Sequence, residues 1–531
     1  MQLNKCCDII GLDKKDFIFQ GVFVMRANKM ILLISCVLAM LMLLCACTPA
    51  TPGSESSADQ PAQSGTSSDG DVSEGGFPYA DHEPFNTTVT IYTVATSRHP
   101  YGELQFVPND ESSYGQVSSA VANRNNIIEE KYGIKIQVVA EPYPTDNLAL
   151  LIEGGSCDYD LVCDSVDRMV GKVTENLFYA IDDYVDLTNP WWDDDAIDAI
   201  TLSDGHYFVA GDALITDDDN TYLTLYNKSL YNENQDVVAK YGDIYQLVRD
   251  RKFTLDAFNE ISRMVSTTDS AGQWSTEATY GNLSHSYGAT IMFNGSGEAL
   301  AKKTADGGVE VNIVNRRAVD VFEKVYNLMS NQQVTTRAEL LIGKIPEAKS
   351  TYGFAELEYM FVNGRGLFYN TTSSSISLLK TSTAQRSFEF GVLPIPNYEE
   401  GDDYHCAVNR YQSSVIGIPT SCKQIEAAAF LLEALGYYSD DVTNAYYSLT
   451  LQLQALDDDA DAEMLDLVYN SRFYDLGAIY TWGTSPALAG LQGSVIGNPN
   501  TNELSSRYDA IKDSVEQGIS DTLELYESIN K

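Results

Sequence analysis

The chain has 531 residues, 44% of them hydrophobic, with 75 acidic against 34 basic side chains and a formal net charge of −41. An acidic excess of that size excludes nucleic acid as a natural partner and disfavours anionic ligands unless a local basic site reverses the field. The apolar content is that of a globular protein, and the length exceeds what one hydrophobic core usually organises, so two lobes are expected.

Residues 1–24 are mixed and charged and read as a spurious extension, with Met25 the true initiator. Residues 25–46 then open on Arg26 and Lys29, run apolar from Met30 to Leu44, and end in Leu44-Cys45-Ala46-Cys47. The apolar run is too short to span a bilayer comfortably, and small residues before a Cys suit cleavage rather than retention. This segment resembles the signal peptide of bacterial lipoproteins. The resemblance implies lipidation, with palmitate, at Cys47 and anchoring on the extracytoplasmic face of the cell membrane. Thr48 to Gly76 is almost wholly Thr, Pro, Ser, Gly, Ala, Gln and acids, with Val72 its only large aliphatic residue. It cannot bury a core, so residues 47–86 read as a lipidated Cys and a flexible tether.

In the body, Thr88 to Val94 mixes β-branched and aromatic residues and reads as a first strand. A helix follows from Gln116 to Tyr132, with Val117, Val121, Ile127 and Ile128 apolar and Gly133 as its stop. Ile134 to Val139 is a second strand, Asp146 to Glu153 a short helix and Asp160 to Cys163 a third strand. Strands alternating with helices imply a parallel sheet, with function gathered at the carboxyl ends of its strands. The second half repeats the pattern: strands at Tyr222 to Tyr226, Gly366 to Tyr369, Phe390 to Pro394 and Val415 to Pro419, and helices at Leu255 to Met264, Arg317 to Ser330 and Gln424 to Leu435. Leu504, Tyr508, Ile511, Val515, Ile519, Leu523 and Tyr526 step by three or four, the mark of one packed helical face.

Four cysteines remain in the body: Cys157, Cys163, Cys406 and Cys422. They allow three full pairings, and they read as free or partly buried thiols because a body of this size needs no cross-links. No zinc spacing is present, and the chain requires no cofactor. Asp217-Asp218-Asp219-Asn220 and Asp457-Asp458-Asp459-Ala460-Asp461 invite a calcium reading, but both lack the Gly and distant Glu of an EF-hand loop and read as solvated turns.

Several segments carry a family resemblance. Asp160-Leu161-Val162, followed by Asp164 to Arg168, is similar to a strand, polar loop and Asp-Arg element. Thr224-Leu225-Tyr226-Asn227-Lys228-Ser229-Leu230 resembles a YYNKDLF segment, and Phe293-Asn294-Gly295-Ser296-Gly297 an NGG turn. Phe361-Val362-Asn363-Gly364-Arg365-Gly366-Leu367-Phe368 resembles a hairpin of that family, and Gly391-Val392-Leu393-Pro394-Ile395-Pro396 its GVAPLP run. In this order, they resemble the extracellular solute-binding proteins of ABC transporters, in the carbohydrate-binding group of maltose-binding protein. The resemblance implies an α/β, two-lobed periplasmic-binding-protein-like fold with an interlobe cleft and a hinge. It maps lobe 1 to residues 87–216 and 404–438 and lobe 2 to 217–403 and 439–531, in a monomer that delivers a sugar to a permease.

Sugar sites combine aromatic platforms with fixed hydrogen-bonding groups. The chain has 33 Tyr and only 4 Trp. Trp482 and Trp274 stand in polar, loop-like contexts and are the expected platforms. By position in the resemblance, Asp164 and Asp167 point into the cleft, with Thr96 and Arg98 as further lobe 1 candidates. Tyr287, Tyr369 and Asn370 are the lobe 2 counterparts, and Arg410 precedes the returning strand. Peptide or polyamine ligands are the alternatives within binding proteins. An exported carbohydrate-active hydrolase is the enzymatic rival, since it needs only two carboxylates; HExxH, GxSxG and GxxxxGK[ST] motifs are absent.

Overall fold

Thr87–Val94 is β-branched at almost every position, and it is the strand on which the first sheet is built. It pairs in parallel with Ile134–Glu141 on one side and Leu161–Ser165 on the other. Ser414–Gly417 completes the far edge, antiparallel to Leu161–Ser165, so the chain returns late to finish this sheet. In the computed structural model the described residues are 76–109, 114–202, 205–381, 387–454 and 459–529. The signal segment, Cys47, most of the tether and Asp457-Asp458 lie outside them. Residues 76–86, expected to belong to the flexible tether, are instead part of the folded body: Phe77 is buried in the first lobe against Tyr132, Phe430 and Tyr437, a docking that the polar stretch before it gave no sign of.

Helix Gly115–Tyr132 connects the first two strands and stops at Gly133, whose φ of 65° is left-handed. A Cβ there would stand 2.9 Å from the Asn86 backbone nitrogen, so glycine suits both the turn and the close approach. Helix Ile425–Tyr437 buries Ala427, Ala428, Leu431, Leu432 and Leu435 in the core of the first lobe, together with Val89, Ile91 and Ile416.

The second sheet has five strands in the order Phe390–Leu393, Tyr222–Asn227, Gly366–Thr372, Tyr280–Ser284, Thr335–Arg337. The last three run parallel, while Tyr222–Asn227 is antiparallel to Gly366–Thr372. Helices Leu255–Val265, Arg316–Met329 and Phe354–Val362 contribute Phe258, Phe322 and Phe361 to its core. The C-terminal helix Leu504–Ile529 buries the expected stripe at Leu504, Tyr508, Ile511, Val515, Ile519 and Tyr526, and it lies against helix Leu488–Ile496. No helix among the described residues is long and apolar enough to cross a membrane. Cys157, Cys163, Cys406 and Cys422 are buried free thiols.

Between the sheets, three segments lie side by side: Thr221 bridges Val408, and Cys406–Ala407 pairs in parallel with Arg472–Phe473. Here the acidic run departs from its reading as a solvated turn. Residues Thr216–Asp219 form a short helix in which Asp217 and Asp219 are buried. Arg472 donates to Asp217 at 3.0 Å and to Asp218 at 2.5 Å, and Tyr446 donates its hydroxyl to Asp219 at 3.1 Å. Asp461 is likewise buried and accepts from Lys228, the Tyr245 hydroxyl and the Val392 amide. Acid runs look alike in sequence whether they face water or a buried guanidinium far along the chain.

Candidate functional site

Parallel strands deliver the residues that follow their carboxyl ends to one edge of the sheet. In the first lobe these are Arg98 after Thr87–Val94, Tyr143 after Ile134–Glu141, and Asp167 and Arg168 after Leu161–Ser165. Arg410 and Tyr411 join them because Ser414–Gly417 runs antiparallel and starts at the same edge. In the second lobe the corresponding edge carries His285 and Tyr287, and Tyr222 opposite Thr372.

Asp164 is fully buried and accepts from Arg98 at 2.8 Å, from the Thr145 hydroxyl at 2.7 Å and from the Ser165 amide at 2.7 Å. It positions Arg98, which also donates to the Ser165 hydroxyl and to the Tyr411 carbonyl at 2.7 Å. Arg168 pairs with Asp146 rather than with Asp164 or Asp167. These charged hydrogen bonds fix the lip of the first lobe before any ligand arrives.

Arg410 is different. It is only 6% exposed, its guanidinium donates through Nη2 to the Tyr411 hydroxyl, and Nε and Nη1 are buried with no partner among the described residues. Asp167 hydrogen-bonds through its amide to the Arg410 carbonyl at 3.3 Å, yet its own Oδ1 is also buried and unpartnered. Burial pushes the Asp167 carboxyl above its ordinary value, with the Ser165 side chain and Arg410 pulling the other way. The guanidinium lies 5.8 Å from the Tyr287 ring of the second lobe, which neighbours Tyr222 at 6.4 Å and His285 at 6.2 Å. A cavity of about 10 Å³ opens between the lobes there, lined by Val166, Tyr287, Asn294, Arg410, Tyr474 and Asp475. Buried donors of Arg410 without partners thus lie near the Tyr287 ring at an interlobe gap with room for about one water, and the unpartnered Asp167 oxygen stands on the same lip of the first lobe. That arrangement suits a neutral polar molecule with hydroxyls on one face and C–H groups on the other.

Of the ten residues expected from sequence, the structure brings Arg98, Asp164, Asp167, Tyr287 and Arg410 together. Thr96 is nearby but exposed, with its amide and hydroxyl both given to Glu103. Asn370 is buried near the carboxyl end of the central strand and donates to Thr224 at 3.0 Å, leaving Oδ1 without a partner. Tyr369 points to the other face and rests against Phe361, 5.4 Å between rings.

Both tryptophans stand elsewhere. Trp482 is buried, stacked on Tyr480 at 5.1 Å, and its indole N–H donates to Thr522 in the C-terminal helix. Both its polar atom and one ring face are therefore committed to packing. Trp274 lies against Tyr280, which begins the strand whose opposite end carries Tyr287. A polar sequence context does not separate a cleft loop from a loop at the wrong end of a sheet. Tyr143, Tyr222, His285 and Phe354 went unnoticed in the sequence; the available signal was that Tyr143 and His285 immediately follow the ends of strands.

Residues 114–436 match the model of a family described as bacterial extracellular solute-binding protein. No curated protein matches the sequence. Solved structures of similar fold include a cyclo/maltodextrin-binding protein complexed with maltotetraose, at 14% identity, covering 83% of this chain and 96% of that one with a TM-score of 0.50. UgpB from Mycobacterium tuberculosis in complex with glycerophosphocholine is 13% identical, with 82% and 99% covered and a TM-score of 0.51. A sugar transporter from Rhizobium etli in an open conformation is 14% identical, with 83% and 99% covered and a TM-score of 0.51. At such identities the likeness is one of fold.

Proposed function

This chain belongs to the family of bacterial extracellular solute-binding proteins, and on that premise we propose that it is the substrate-binding lipoprotein of an ABC importer. It captures a mono- or oligosaccharide between its lobes and delivers it to the permease. The observation that carries this reading is the pairing of Arg410 with Asp167: unpartnered donors beside an unpartnered acceptor, both buried, facing Tyr287 across the cleft. A sugar hydroxyl accepts from Arg410 while donating to Asp167, and the ring's C–H face rests on tyrosine. A polyamine would meet the Arg410 cation.

Binding of this kind draws the lobes together by favouring the closed state, and the shift is limited by the ligand's differential affinity for it. In the same reading Cys47 carries the lipid and the residues from 48 to about 75 hold the body near the membrane, with a reach that grows only as the square root of tether length. A Cys47→Ala protein is then shed from the membrane fraction; its retention there removes the anchor.

The test is a thermal-shift screen of the purified lipoprotein in detergent against mono- and oligosaccharides, peptides and polyamines. A ligand at a hundred times its dissociation constant adds about 2.7 kcal/mol, a clear rise in melting temperature. A rise confined to sugars, with the sugar recovered intact, is the expected result. A rise confined to peptides or polyamines overturns the substrate class, and consumption of the sugar turns the site into that of a hydrolase.

A further inference from the structure

Acids outnumber bases by 75 to 34 in this chain, so a buried arginine has carboxylates to choose from. Three arginines among the described residues are nonetheless buried without an ion pair: Arg124 at 2% exposed, Arg337 at 3% and Arg410 at 6%. Arg124 spends its guanidinium on the Ser439 hydroxyl, the Gln105 carbonyl and Asn125. Arg410 keeps two nitrogens without partners, and Arg337 makes no hydrogen bond among the described residues, with its Nε fully enclosed.

The two unmet guanidiniums belong to opposite lobes. Arg410 lies on the lip of the first, 5.8 Å from the Tyr287 ring. Arg337 ends the strand Thr335–Arg337, which pairs in parallel with Tyr280–Ser284 and sets Arg337 beside Ser284. It therefore stands at the edge of the second sheet from which His285 and Tyr287 follow. Ser284 shares its face of the sheet, and that hydroxyl too is buried without a partner. The neighbouring acid, Glu339, accepts the Ser286 amide at 2.8 Å and forms no ion pair with Arg337. His285 is brought down to about 4 by burial, so it is neutral at pH 7 and adds no opposing charge.

Arg410 shares its lip with Asp167, whose free oxygen balances it and matches that spot to neutral hydroxyls. Arg337 has no such balance. A charge taken out of water without a partner is costly, and an arriving anion removes that cost while gaining charge-assisted hydrogen bonds. Resting on the saccharide reading above, we infer that Arg337 is the seat of an acidic substituent and that the ligand is an anionic saccharide, bearing a carboxylate or a phosphate. The planar guanidinium fork suits either oxyanion. Arg337 then reads the charge of the ligand, while Arg410 and Asp167 read its hydroxyls. The acidity of the whole chain repels anions except where a local cation of this kind reverses the field.

Calorimetric titration of the full lipoprotein in detergent at low salt tests this with matched ligands: galactose against galacturonate, galactobiose against digalacturonate, and glucose against glucuronate and glucose 6-phosphate. In the set that binds, the acid binds about tenfold or more tighter than its neutral twin, and added salt narrows the difference. The glucuronate and phosphate arms tell the two oxyanions apart. Arg337→Gln abolishes the preference and leaves affinity for the neutral twin unaltered, while Arg337→Lys keeps part of it. Because Arg337 has no protein partner to lose, Arg337→Gln without ligand melts no lower than the parent; a clearly lower melting temperature marks a structural arginine and contradicts the inference. Equal or tighter binding of the neutral twin, or a preference that survives Arg337→Gln, overturns the acidic seat and leaves sugar capture at Arg410 and Asp167 standing. Silence in every set overturns the acidic seat alone if another, neutral sugar raises the melting temperature, and overturns both readings if no sugar does.

Discussion

Arg472, in the third of the segments that lie between the lobes, donates its Nη1 to Asp217, just before the first, across 3.0 Å. Its Nη2 reaches Asp218 at 2.5 Å, and Asp193 stands 3.6 Å away, so one guanidinium serves three carboxylates, two of them adjacent in one short helix and the third from an earlier segment. The arrangement sits beside the three segments that lie between the sheets and ties them to one another.

Arg472→Met leaves those carboxylates without a counter-charge. Breaking a buried pair from one side costs about 3–5 kcal/mol, because the abandoned charges stay buried. Urea denaturation of the variant is expected to show a midpoint lowered accordingly, with Arg472→Lys recovering part of the loss. An unchanged midpoint contradicts the clamp.

Acidity of the same region gives a pH dependence. Burial pushes Asp219 up to about 7, and burial with help from Asp218 pushes Asp212 up to about 7, from an ordinary 3.8. His99 lies 3.4 Å from Asp219, but burial brings its own pKa down to about 3, so it is neutral and the contact is no ion pair. With folded values above unfolded ones, the native protein holds protons that the unfolded chain has released. That stabilisation is complete below the unfolded value and is lost as pH rises through about 7. These groups are therefore expected to lower the melting temperature as pH rises from about 4 to about 7 and to add no further fall above that, with a shallower fall in Asp219→Asn; a slope unchanged in Asp219→Asn contradicts it.

Arg410→Ala and Asp167→Asn each remove a group with unused hydrogen-bonding capacity in the cleft. Each is expected to weaken sugar binding by about 1.5–3 kcal/mol, the range for hydrogen bonds to charged groups, when measured by calorimetry. Asp167→Asn keeps the shape of the side chain, so stability without ligand changes little, whereas Arg410→Ala also loses its bond to Tyr411 and its buried packing, so its affinity is read at a temperature where the variant is folded. Undiminished affinity in both removes them from the site.

Trp482→Ala separates packing from recognition. Truncating a buried tryptophan costs about 3–5 kcal/mol. The expected outcome is a lower denaturation midpoint with unaltered sugar affinity at a temperature where the variant is folded. Lost affinity with unaltered stability returns Trp482 to the cleft.

The elements that could be read from sequence are those whose local pattern and tertiary role agree. Thr87–Val94 is β-branched and central in its sheet, Gly133 ends its helix in a left-handed turn, and the C-terminal stripe from Leu504 to Tyr526 is the buried face of one helix. Asp167 and Tyr287, which came from their position in the family resemblance, adjoin strand ends in the structure. The rest depended on partners distant in the chain. Asp217 to Asp219 are structural because Arg472 and Tyr446 arrive from more than two hundred residues away, and Trp482 is a packing residue because Thr522 and Tyr480 enclose it. Nothing in the residues flanking these positions records those encounters.

The central claim is most directly tested by a crystal structure of the protein with the sugar that gives the largest thermal shift. The account predicts a sugar hydroxyl within hydrogen-bonding distance of both Arg410 and the Asp167 carboxylate, with Tyr287 or Tyr411 against the ring's C–H face. A sugar bound outside the interlobe cleft, or inside it without contact to Arg410 and Asp167, contradicts the account.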